Sequence, residues 1–201
     1  SVLLMGGSAD VDEAFSNRVR NHIGSNVDTV VLRTSGSDGY NDYFQSLLSA
    51  DSVSTLIVDS QSKANSAYVD WMVRSAEFVW IAGGDQSDYL NSWLGTALQS
   101  AIQHVYDKGG VVGGTSAGMA LLSDTIYDPD SIAGAVSDEV VTDFCHNTLN
   151  FSSRFINIPH LDNSIADTHF YERDRMGRLM VFMANQSSNT VGIGASEGTS
   201  I

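Results

Sequence analysis

Two textures alternate along this chain. Short, near-continuous apolar runs at 2–5 (VLLM), 28–32 (DTVVL), 54–58 (STLIV), 77–82 (EFVWIA), 110–112 (GVV) and 190–195 (TVGIGA) have the length and β-branched content of buried strands. Between them, at about 10–22, 41–49, 64–75, 88–107, 116–123 and 172–185, apolar residues recur at helical spacing. Strands that are apolar throughout and are joined by amphipathic helices predict an α/β fold: a doubly wound, mostly parallel sheet with helices on both faces. The stretch 124–165 breaks the rhythm. Its glycines, prolines and β-branched pairs, as in SIAGAVSDEVV (131–141), suggest a hairpin or an excursion outside the main sheet. With no internal repeat, low-complexity tract or linker, residues 1–201 are expected to form one domain.

Composition narrows the partners. A chain of 201 residues that is 42% hydrophobic is long enough to bury one sizeable core. The formal net charge of -14 argues against general affinity for nucleic acid or an anionic membrane, and no apolar run reaches the roughly 20 residues of a membrane span. One cysteine, Cys145, excludes an internal disulfide and any multi-cysteine metal site. The chain opens on Ser1 rather than methionine and enters a strand-like run at once. That points to an upstream segment such as a signal peptide, and the scarcity of lysine beside many acids fits an extracytoplasmic setting.

In a doubly wound sheet, ligands bind beyond the carboxyl ends of the strands. The segments there are GGSAD (6–10), RTSGSDGYN (33–41), AGGDQSDY (82–89) and GGTSAG (113–118). Within the last, Ser116 occupies the centre of a G-x-S-x-G between a strand and an apolar helix, the context of a nucleophile elbow. Small neighbours let the chain turn sharply, and the N–H of Ala117 becomes available to an oxyanion. The plainer reading is a glycine-rich turn whose serine caps the helix. MGGSADVDEAF (5–15) lacks both G-x-G-x-x-G and G-K-[ST], so a nucleotide-binding loop is a poor fit.

A serine nucleophile needs a base. Of His22, His104, His146, His160 and His169, only the last two lie late in the chain in turn-like sequence, and His169 is followed by Arg173, Arg175 and Arg178. These arginines can be surface charges paired with Glu172 and Asp174, or ligands for a substrate carboxylate. On a helix Arg175 and Arg178 would share a face, with Arg173 about 200° away from Arg175.

Four motifs in order now resemble one family. GGDQ (83–86), GTSAG (114–118), DTHFYERDRMGRL (167–179) and GIGASE (192–197) are similar to the motifs of cyanophycinases and the related dipeptidase E group, serine peptidases on a class I glutamine-amidotransferase-like α/β fold. The resemblance implies Ser116 as nucleophile, His169 as general base and Glu197 as the acid orienting it. It implies an oxyanion hole from Gly84, Asp85 and Ala117, and a substrate site lined by Gln86, Asp167, Arg173, Arg175 and Arg178. No metal or cofactor is implied. The implied activity is hydrolysis of cyanophycin or related β-aspartyl peptides, with an Asp-X dipeptidase, an isoaspartyl peptidase or an inactive binding module on the same fold as alternatives. Relatives of this fold often dimerise, so a homodimer is also an expectation. Two departures stand out. Thr168 replaces the glutamine that usual cyanophycinases carry before the histidine, and the family's chain normally continues past the glutamate, so the domain is expected to be incomplete at its C-terminal end. The segment RTSGSDGYNDY (33–43) resembles the extracytoplasmic relatives.

Overall fold

The computed structural model describes residues 1–130 and 134–201. In chain order the elements are β1 (Val2–Met5), a π-helical segment (Ala14–Val19) running into α1 (Arg20–Ile23), β2 (Asp28–Arg33), α2 (Tyr40–Leu48) and β3 (Ser52–Ile57). There follow α3 (Gln61–Ala64), α4 (Ala67–Ser75), β4 (Phe78–Ile81), α5 (Gln86–Trp93), α6 (Ala97–Asp107), β5 (Val111–Thr115) and α7 (Ala117–Ala120). The last are β6 (Thr125–Tyr127), α8 (Ser137–Thr142), β7 (Phe151–Ser153), a 3-10 turn (Pro159–Leu161), β8 (Ser164–Asp167), α9 (Met176–Ala184) and β9 (Val191–Gly194).

Five strands form the parallel sheet, in the order β1-β5-β4-β2-β3. All four residues of β4 are buried, as a strand covered on both faces requires. One face carries Tyr89, Trp93, Leu98 and Ile102 from α5 and α6. The other carries an aromatic cluster in which Phe15 meets Phe44 and Trp80 edge-on, with ring centroids 4.9 and 5.0 Å apart.

The strand expected at 190–195 does form, as β9, but in a second sheet. That sheet runs β7-β6-β8-β9, with β7 antiparallel to β6 and the other pairs parallel. The excursion expected over 124–165 is therefore real and supplies most of this sheet. Its β-branched pair Val140–Val141 falls on α8 rather than in a hairpin, because Val140 packs into the apolar cluster with Leu179 and Phe182; Ser131, Ile132 and Ala133 lie outside the described residues.

Several helices also differ from expectation: 10–22 is a π-helical segment running into α1, and 64–75 divides into the end of α3 and α4. The segment 88–107 divides at Gly95, where φ is +75°, into α5 and α6. The helix after Ser116 is only four residues long, and α9 begins at Met176 because 171–174 turn first. The C-terminal residues lie antiparallel along β1, with Leu4 N donating to Ile201 O at 3.0 Å and Ile201 N to Leu4 O at 2.9 Å. Glu197 is thus tied down from both sides rather than frayed.

Candidate active site

β5 ends at Thr115, and Ser116 follows with φ 54° and ψ -120°, a conformation costing a non-glycine residue on the order of 1–3 kcal/mol. Its N–H donates to Met5 O at 3.1 Å, which anchors the strained residue to β1. The small neighbours have a steric reason. A Cβ on Gly114 would collide with the backbone of Gly118, and one on Gly118 with the Ile81 carbonyl.

Ser116 Oγ lies 2.8 Å from His169 Nε2, and His169 Nδ1 lies 2.6 Å from Glu197 Oε1. His169 is 7% exposed, and its N–H donates to Gly6 O at 2.8 Å. Gly7 lies against the imidazole, where a Cβ would meet the ring. The hydrogen bond with His169 holds the Glu197 carboxyl below the usual carboxylate range, helped by the charge of Arg173. Glu197 therefore remains an anion into mildly acidic solution, the state that accepts a proton from Nδ1 and fixes the tautomer with Nε2 free to accept from Ser116. Its backbone N–H donates to Glu172 Oε2 at 3.0 Å. His160 is exposed on the 3-10 turn, His22 bonds Gly109 O and His146 bonds Thr148, so the competing base His160 takes no part.

Ser116 opens into a cleft of about 220 Å³ lined on one side by Gly84, Asp85, Gln86 and Ala117, and on the other by Asp167, Arg173, Arg175 and Arg178. Tyr89 OH donates to Ala82 O at 2.8 Å and contacts Gly83 O at 3.1 Å, fixing the glycine loop after β4. The four-residue α7 is too short for a sizeable macrodipole, so any oxyanion stabilisation here comes from individual N–H groups. Gln86 Nε2 donates to Tyr127 O at 3.1 Å.

Asp167 was expected among the substrate ligands, but its carboxylate is 3% exposed and already engaged. Arg178 grips it through Nε to Oδ2 at 2.7 Å and Nη2 to Oδ1 at 2.5 Å, Arg175 Nη1 approaches Oδ1 at 3.3 Å, and Thr168 N–H donates at 2.9 Å. Arg178 is buried too, its guanidinium carbon 5.3 and 5.4 Å from the ring centroids of Tyr127 and Phe182, which stack on each other, with Nη1 donating to Ala135 O at 3.0 Å. Arg175 Nη1 also donates to Thr168 O at 2.7 Å; burial and the neighbouring Arg178 lower its guanidinium to about 10, still cationic at neutral pH. Arg173 is exposed on the preceding turn. Arg175 and Arg178 both reach the Asp167 carboxylate, whereas Arg173 does not. A shared helix face is not the cause, because Arg175 is the non-helical residue before α9 and Arg173 lies on the turn before it.

Three contacts had no signal in the motifs: the Gly6–Gly7–Ser8 loop beneath His169, Glu172 holding the Glu197 backbone, and Thr168 holding Arg175. The first could have been found from the paired glycines after β1. Among the described residues no group of three or more His, Cys, Asp and Glu side chains could hold a metal ion, and no helix is long and apolar enough to cross a membrane.

The sequence model of peptidase family S51 matches residues 2–201. The chain belongs to this family. Solved structures of S51-like shape include a peptidase from an acI-B1 Actinobacterium (TM-score 0.71, 16% identity, 99% of this chain and 81% of that one). Another is a putative peptidase E protein from Listeria monocytogenes EGD-e (TM-score 0.61, 13% identity, 99% and 91%). At these identities the likeness is one of fold. None of the curated proteins is a significant sequence match. Membership of family S51 makes this a peptidase of the dipeptidase E and cyanophycinase kind, with a mostly parallel α/β sheet as its core.

Proposed function

We propose that the protein is a serine-type hydrolase that cleaves peptides with an aspartyl carboxylate on the acyl side of the scissile bond, β-aspartyl peptides of the cyanophycin kind among them. The observation that carries this reading is the continuous Ser116–His169–Glu197 relay at 2.8 and 2.6 Å, on a serine with positive φ. Ser116 Oγ attacks the carbonyl carbon as its proton passes to His169 Nε2, and Glu197 stabilises the imidazolium. The N–H groups of Gly84, Asp85 and Ala117 receive the oxyanion, each donor contributing about 3–4 kcal/mol. His169 returns the proton to the departing amine, and the C–N bond breaks. Water then attacks the ester by the same route and frees Ser116. Arg175 faces the cleft with Nη1 engaged and the rest of its fork directed to a substrate carboxylate, with Arg173 at the rim.

An Asp-X dipeptidase is the second reading, favoured by a cleft of only about 220 Å³ and by the fold shared with a peptidase E protein. Mass spectrometry of products from cyanophycin, β-Asp-Arg and α-Asp-X peptides separates the two. Labelling of Ser116 by a fluorophosphonate tests both against an inactive binding module: an unlabelled serine in folded protein favours the module.

A further inference from the structure

Arg175 is the N-cap of α9, a position normally taken by a short polar residue whose side chain turns back to accept from the second or third N–H of the helix. An arginine has no acceptor and makes no such cap. Its guanidinium instead donates to Thr168 O at 2.7 Å and lines the Ser116 cleft. The acceptor that α9 needs comes from another helix. The hydroxyl of Ser137, the first residue of α8, accepts from the Arg178 N–H at 3.1 Å and donates to Asp174 O. One buried serine thus holds the main chain immediately before Arg175 and three residues after it.

The contact is tightly built. A Cβ on Gly177 would lie 2.9 Å from Ser137 Cβ and 3.2 Å from Val141, so only glycine lets α8 approach α9 this closely. Asp174 has φ 48°, a conformation that a non-glycine residue keeps only where its surroundings impose it, and its carbonyl is the one that Ser137 holds. The two arginines depend on this clamp unequally. The Arg178 side chain is gripped independently by Asp167 and Ala135 O, whereas among the described residues Arg175 has only Nη1 bonded. Loss of the serine hydroxyl therefore falls mainly on the aim of Arg175. A side chain that caps its own helix cannot also reach substrate, and moving the cap to α8 frees residue 175 for recognition. Resting on the reading above that Arg175 receives a substrate carboxylate, we propose that Ser137 is a positioning residue for specificity, which caps α9 from outside and so holds the Arg175 fork toward the acyl side of the scissile bond.

An aspartyl peptide and its asparaginyl counterpart, which differ by one charge, provide the test on the intact chain, Ser137→Ala, Arg175→Ala and the double variant. The intact chain should prefer the aspartyl peptide by about 30-fold or more in kcat/KM. Ser137→Ala should cut that preference by about tenfold, mostly through KM, while cleavage of the asparaginyl peptide changes by less than about threefold. In the Arg175→Ala background the same substitution should move the preference by less than about twofold, because the group it positions is gone. An unmoved preference, equal losses on both peptides, or the same tenfold fall without Arg175 overturns the proposal. Each variant is assayed below its own unfolding temperature. Should Ser137→Ala not fold, Gly177→Ala, whose methyl displaces Ser137 from α9, is read by the same criteria. A steep preference that Ser137→Ala leaves intact removes the positioning role alone, whereas a flat preference in the intact chain removes Arg175 as the carboxylate ligand and this role with it. If Ser116 resists fluorophosphonate and neither peptide is cleaved, the hydrolase reading has failed by itself; the preference is then taken from the calorimetric Kd of the two peptides, with the same outcomes deciding.

Discussion

Asp167 ends β8 and Asp10 lies on the loop after β1, and both lose much of their hydration on folding, yet their surroundings are opposite. Asp167 is surrounded by two guanidinium groups and a backbone N–H, so the Arg178 pair is bidentate and nearly dry. Among the described residues Asp10 makes no ion pair: Arg33, which lines the same cavity as Asp10, bonds its own loop's carbonyls. Burial of charge is tolerable where the fold supplies a partner; where it does not, the carboxyl shifts toward its neutral form. The first arrangement builds a rigid wall that aims Arg175, and the second leaves an anionic cavity.

The largest effect should come from the nucleophile. Ser116→Ala is expected to lower kcat by roughly 10⁴-fold or more, with unchanged thermal unfolding, measured on an aspartyl peptide. If activity survives within about tenfold, another nucleophile acts and the elbow is only a turn. Breaking the paired side comes next. Asp167→Ala leaves the buried Arg178 without its counter-ion and should cost about 3–5 kcal/mol of stability in denaturant unfolding. A loss below about 1 kcal/mol would mean that the guanidinium finds another acceptor and that the contrast with Asp10 is weaker than drawn.

The two arginines around Asp167 sharpen the comparison from within. Arg175→Lys should lower kcat/KM for an acidic substrate by about 10- to 100-fold while stability changes by less than about 1 kcal/mol, since lysine lacks the planar fork. Arg178→Lys should do the reverse, losing about 2 kcal/mol or more of stability because both bidentate bonds and the guanidinium contact with the Tyr127 and Phe182 rings are lost. Equal behaviour of the two variants would show that both arginines face substrate.

Much of this was legible in the sequence. The main-sheet strands declared themselves because burial on both faces leaves nearly unbroken apolar runs, and G-x-S-x-G after β5 marked the elbow because close backbone approach at Gly114 and Gly118 tolerates no Cβ. The second sheet was not legible as such. β6 and β7 are three residues each, too short for periodicity, and β9 reads like any core strand although it pairs with β8. Asp167 could be placed near the site by motif, but its role depends on Arg178 eleven residues later, whose burial follows from packing against Tyr127. The segments 6–10 and 33–41 were legible as lying beyond the strand ends, but the unpaired Asp10 between them was not, because it depends on Arg33 bonding its own loop.

The smallest expected effect is on the stability of the unpaired side. The folded carboxyl of Asp10 is raised above its ordinary value of 3.8, mainly by burial, so the folded state binds its proton more tightly than the unfolded chain. Below the unfolded value both states are protonated and Asp10 contributes no penalty; as pH rises through the folded value the penalty grows to its full size and persists at neutral pH. A hydrogen bond with Tyr40 offsets part of the upward shift of Asp10, and Asp10→Asn removes the charge while its side-chain oxygen still accepts from Tyr40. It should therefore raise Tm at pH 7 by about one to two degrees, a small gain for a half-exposed group, and the gain should vanish as pH falls toward the ordinary carboxyl range. Tm measured from pH 4 to pH 8 on both proteins provides the check. A variant less stable than the parent at neutral pH would mean that Asp10 is paired in solution, and the contrast with Asp167 would disappear.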